Sequence, residues 1–132
     1  MSSEDSTAIR LDKAGFYLFR QAVVEVREAG PDDPALARVT AALEAVRPAL
    51  DALDRYTVDL TVGVHDGDPV ITRTGDDSVT VAGALTSDVV RRLPDAFRRV
   101  ADELGDPEAR YRTGGDVAAL KALADRVDRA GG

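Results

Sequence analysis

An α+β fold is predicted for this chain by three observations. The stretch from Tyr56 to Ala82 is the only long one with a period-two pattern, helical spacings of three and four flank it on both sides, and Gly, Pro and Asp punctuate the junctions. The expected architecture is an N-terminal antiparallel helical hairpin, a three-stranded antiparallel β-meander, and two to three C-terminal helices packed on one sheet face. A length of 132 residues fits one domain, expected over residues 9–130 behind a disordered tail at 1–8.

Ile9 and Leu11 alternate with polar neighbours, which allows a short strand before the first helix. From about Lys13 to Ala29 the pattern turns helical, with Phe16, Phe19, Val23 and Val26 on one stripe and Gly30-Pro31 as the stop. Asp33-Pro34 reads as an N-cap and a first-turn proline. The helix behind it carries Leu36, Val39, Leu43, Val46, Leu50 and Leu53, and its stripe runs through Pro48, where a kink is expected.

In the central stretch, Tyr56, Val58, Leu60, Val62 and Val64 share one face of the first meander strand, and Thr57, Asp59, Thr61, Gly63 and His65 the other. Asp66-Gly67 is a favoured two-residue hairpin loop and would set Val62 opposite Ile71. A three-residue loop at Gly75-Asp76-Asp77 keeps the apolar faces in phase, with Ile71 opposite Val81 and Thr72 opposite Thr80. Arg73 then falls on the apolar face, near an end from which it can snorkel outwards.

Beyond Gly83, Thr86 or Ser87 can cap a short helix through Leu93, and Pro94-Asp95 can open another that stops at Gly105-Asp106-Pro107. A loop from Tyr111 to Gly115 leads to a last helix capped by Asp116. Gly131, ahead of the final Gly132, suits a C-terminal helix cap better than a conjugation tail.

Composition narrows the function. There is no cysteine, so disulfides, thiolate metal sites and cysteine nucleophiles are excluded. The polar, acidic start, Met-Ser-Ser-Glu-Asp-Ser-Thr, does not read as a signal peptide, and no apolar run approaches the ~18 residues of a membrane span. A cytoplasmic location without membrane association is expected. The net charge of −7 argues against nucleic acid and anionic membranes as partners. The predominance of Arg over Lys and of Asp over Glu fits either a GC-rich genome or a salt-rich cytoplasm.

Of the candidate sites, the Thr-rich sheet face stands first. Asp59, Thr61, Thr72, Thr74 and Thr80 share the polar side, with Thr61, Thr72 and Thr80 expected side by side and Asp59 next to Thr74. Together with the open sheet edges, this face is the expected surface for a protein partner or a homo-oligomer, and the chain reads as a non-catalytic interaction module. The alternative is a small-ligand or metal-dependent enzyme at the His65, Asp66 and Asp68 turn, although Asp-Gly is also an ordinary hairpin turn. No cofactor and no resident metal are expected. Arg91, Arg92, Arg98, Arg99, Arg110 and Arg112 form one locally basic region, but Arg91–Asp95, Arg98–Asp102 and Arg99–Glu103 stand four apart and can neutralise it. Thr113-Gly114-Gly115-Asp116 lacks the Lys and the long Gly-rich loop of a phosphate cradle and reads as a loop and cap.

Overall fold

Alternation of Ile9 and Leu11 with polar residues produces a strand, and the three-and-four spacing after Lys13 produces a helix whose N-cap is Asp12. The Asp12 carboxylate accepts from the Gly15 N–H at 2.8 Å. The computed structural model describes residues 7–30, 33–63 and 69–131, so residues 1–6 of the tail expected at 1–8 and the hairpin turn at 64–68 lie outside it, while Thr7 and Ala8 of that tail belong to the first strand. The order is β1 (Thr7–Asp12), α1 (Lys13–Ala29), α2 (Pro34–Asp51), β2 (Thr57–Val62), β3 (Val70–Gly75), β4 (Ser78–Leu85), α3 (Ser87–Thr113) and α4 (Val117–Gly131).

The class is α+β, but the sheet departs from the expected meander. It has four strands in the order β1-β2-β4-β3, antiparallel except for the parallel pair β2–β4. The expected β2–β3 pairing does not form, and Val62 lies opposite Thr7 and Leu85 instead of Ile71. Burial explains the order. Val58 and Leu60 on β2, and Val79 and Val81 on β4, are all buried, so these two strands take the centre. The inward side of β3 offers Ile71 and Arg73, a weak apolar face that belongs at an edge.

The β3–β4 register is as expected, with Ile71 opposite Val81 and Thr72 opposite Thr80. The odd residue is absorbed differently. Gly75 pairs with Ser78, and the register shifts between Arg73 and Gly75, so Thr74 bulges within the strand and Asp76-Asp77 forms the turn.

All four helices contribute to one core against the inward faces of β1, β2 and β4. Ile9, Leu11, Val58, Leu60, Val79 and Val81 pack with Phe16, Phe19, Leu43, Val46, Leu93, Phe97, Leu120 and Val127. Phe19 and Phe97 meet edge-on, ring centroids 5.8 Å apart, and join α1 to α3. Lys13 at the start of α1 donates to the Asp54 carbonyl just beyond α2 at 3.1 Å, as an antiparallel pair requires. Arg20 on α1 also pairs with Glu44 on α2.

The prolines inside the helices behave in different ways. The helix α2 runs through Pro48 to Asp51, so this proline does not stop it, as the apolar stripe required. Pro94 is buried inside α3 and opens no new helix. The break in α3 comes at Gly105, whose φ of 75° and ψ of 170° lie outside the helical region. Gly114 closes α3 in the left-handed region, with its N–H donating to the Arg110 carbonyl at 3.0 Å.

Candidate functional site

Period-two alternation sends the polar residues of all four strands to the side away from the helices. One row crosses the whole sheet: Arg10 is opposite Asp59, Asp59 opposite Thr80, and Thr80 opposite Thr72. A second row runs Asp12, Thr57 and Ser78. The expectation that Asp59 neighbours Thr74 fails because β4 stands between β2 and β3. For the same reason Thr61 is not in line with Thr72 and Thr80. It lies further along β2, opposite Ala8, and its Oγ1 donates to the Val81 carbonyl at 3.3 Å.

The row is polarised along its length. The Arg10 guanidinium grips Asp59 through two parallel bonds, Nε to Oδ1 at 2.9 Å and Nη2 to Oδ2 at 3.1 Å. This pair holds the Arg10 pKa above its ordinary value, the hydrogen bond being the main cause and the Asp59 charge the second. At the other end, Thr72 and Thr74 are exposed and uncharged. No helix among the described residues covers this face.

The two edges of the sheet differ. On β1, Ile9 and Leu11 are buried under the helical layer. All six residues of β3 are exposed, including Val70 at 50% and Ile71 at 38%. The helical layer thus ends over β4 and leaves β3 overhanging. Arg73 turns its guanidinium back to the turn carbonyls, Nη2 to Asp76 at 2.8 Å, which is the outward snorkel expected of it. Among the described residues β3 has one hydrogen-bonded neighbour, β4, and β2 is the strand it would otherwise have paired with.

The remaining candidates carry less. His65, Asp66 and Asp68 lie outside the described residues, and among the described residues no group of three His, Asp or Glu is placed to hold a metal ion. Arg91, Arg92, Arg98, Arg110 and Arg112 of α3 are engaged with carboxylates, though with different ones from those expected. Arg98 contacts Asp95 at 3.3 Å, Asp125 at 2.8 Å and Asp128 at 3.5 Å, and Arg92 contacts Asp33 at 2.7 Å. Arg112 bridges Glu108 and Glu25. The loop expected from Tyr111 to Gly115 shrinks to Gly114 and Gly115, because α3 runs on through Thr113, while Asp116 caps α4 as read, its carboxylate accepting from the Ala119 N–H at 2.9 Å. Helix α4 extends through Gly131, which is therefore helical and not a cap.

No family model, curated protein or solved structure matches the chain. Among the described residues, no helix is long and apolar enough to cross a membrane.

Proposed function

We propose that this chain is a non-catalytic assembly module whose working surface is the free edge of β3 together with the Thr-rich face beside it. The observation that carries the reading is the state of β3, a six-residue strand that among the described residues is paired on one side only and exposed at every position. Such an edge presents a row of backbone donors and acceptors to any strand that can lie along it, while alternate side chains supply the specificity. A strand kept out of contact usually carries charges or is covered, whereas the one charge on β3, Arg73, is folded back onto the Gly75 and Asp76 carbonyls at the end of the strand.

The partner in this reading is a second copy of the chain, with β3 pairing antiparallel to β3 about a two-fold axis at Thr72. In that register Thr72 faces the partner's Thr72, and each Ile71 faces the partner's Arg73, so that an aliphatic stem covers the exposed isoleucine. Arg73 does not meet its own copy. The polar row from Arg10 to Thr72 would continue into its mirror-ordered counterpart, giving an eight-stranded sheet with helices on one side.

The absence of cysteine from the sequence makes a direct test available. A single Thr72→Cys variant is expected to form a disulfide-linked dimer under mild oxidation, because cross-strand neighbours bring Cα atoms to about 4.5–5.5 Å, within disulfide reach. An Ala118→Cys control, on the exposed side of α4, is expected to stay monomeric. Equal cross-linking of the two variants, or none at Thr72→Cys, would overturn the self-pairing.

A further inference from the structure

At the other side of the molecule, the start of α1, the end of α2 and the α3–α4 junction enclose a half-open cleft of about 560 Å³. Its volume lies in the range of sites that hold small organic molecules, about 300–1,000 Å³. The body of the cleft is apolar, with Phe16, Tyr17, Leu18, Leu50 and Tyr56 in its walls. Two features shape it. Phe16 and Tyr56 meet edge-on with centroids 6.1 Å apart, and the Tyr17 ring lies so close to Gly114 that a Cβ there would come within 3.0 Å of it.

The rim is cationic, against the trend of the chain. Lys13, Arg20 and Arg47 line the cleft with Asp51 as its one carboxylate. Glu44, just outside, accepts from both Arg20 and Arg47, so these three cations and two carboxylates retain a surplus of one positive charge in a chain of net charge −7, while Asp12 lies near enough to act on Tyr56. Burial is the main cause that raises the Tyr56 phenol above its ordinary pKa, with Asp51 acting in the same direction. Its hydroxyl is therefore a neutral donor at pH 7, and among the described residues it has no hydrogen-bond partner. An apolar slot with one surplus positive charge and an unused O–H donor on a lining residue has the chemistry to hold one carboxylate on an apolar body.

We infer that this cleft binds a small amphipathic monoanion, an aliphatic or aromatic body ending in a single carboxylate, with the body among Phe16, Tyr17, Leu18 and Leu50 and the carboxylate at Arg47 and the Tyr56 hydroxyl. This site is separate from β3 and does not depend on the assembly reading.

Octanoate and 1-octanol are suitable probes, since they share a tail and differ at the head. The chain has three tyrosines, and two of them line the cleft, while Tyr111 is 86% exposed elsewhere and serves as an internal control. Titration followed by the tyrosine ring resonances should give saturable shifts at Tyr17 and Tyr56 but not at Tyr111. Octanoate should bind at least about tenfold more tightly than octanol. Arg47→Gln should remove that preference and leave octanol binding unchanged. Shifts without saturation, equal affinities for acid and alcohol, or a preference that survives Arg47→Gln would overturn the assignment.

Discussion

Ile71 lies directly opposite Val81 in the sheet, yet Val81 is fully buried and Ile71 is 38% exposed. Two residues on the same side of adjacent strands differ because the helical layer ends between them. If β3 is the assembly edge, Ile71→Lys should abolish self-association, since an inward-pointing lysine is a common device for blunting edges. As the side chain is outside the core, unfolding free energy at low protein concentration should change by only about 0.5 kcal/mol or less. Size-exclusion chromatography and urea unfolding of the same variant read both effects.

Self-association should also respond to salt. Each copy carries a net charge of −7, and Asp76 and Asp77 sit exposed at the end of β3. Long-range repulsion between copies is screened as ionic strength rises, so the dimer should tighten between low and physiological salt. A constant measured by sedimentation at two salt concentrations checks the sign.

Gly114 occupies the left-handed region at φ 87°, and a Cβ there would press on the Tyr17 ring. Gly114→Ala should therefore destabilise the fold by about 1–2 kcal/mol from the backbone alone, with the ring contact adding to it. Denaturant unfolding provides the comparison.

Pro48 sits in the last turn of α2, exposed, where its ring cannot donate to the Glu44 carbonyl. Pro48→Ala should restore that donor and raise stability by about 1 kcal/mol, less than the full ~3 kcal/mol penalty of a helix interior, because the end of a helix is less demanding. A lower Tm in the variant would contradict the reading.

The Glu44 carboxyl is held below its ordinary pKa, first by the hydrogen bond from Arg20, with Arg47 adding to it. A carboxyl depressed on folding gives stability that is fully present above its unfolded value near 4.5 and is lost as pH falls through the folded value. Glu44→Gln should flatten this part of the acid limb, so that wild type and variant converge at low pH. A constant stability gap from neutral pH down to full acid unfolding would contradict the assignment.

Much of the fold was legible because it is local. The bounds of α1 follow from its stripe and from Gly30, those of α2 from Asp33-Pro34, and the β3–β4 register from the phase of Ile71 with Val81, whereas the Asp12 cap of α1 came only from the structure. The strand order was not legible from the turns. Asp66-Gly67 is a local signal for a hairpin, whereas β2 beside β4 reflects a competition for burial between distant segments. The clue was present in β3 itself, where Arg73 shares the inward face with Ile71 and makes it the poorest candidate for the centre. The cleft was invisible for a similar reason: Tyr17, Arg47, Tyr56 and Gly114 are brought together only by the packing of four separate elements.

The central claim, that β3 joins two copies of this chain, is tested most directly by sedimentation equilibrium of the wild-type protein and Ile71→Lys at physiological salt. The account predicts a concentration-dependent dimer for the wild type and a monomer for the variant over the same range. A monomeric wild type, or a dimer that persists unchanged in Ile71→Lys, would contradict it.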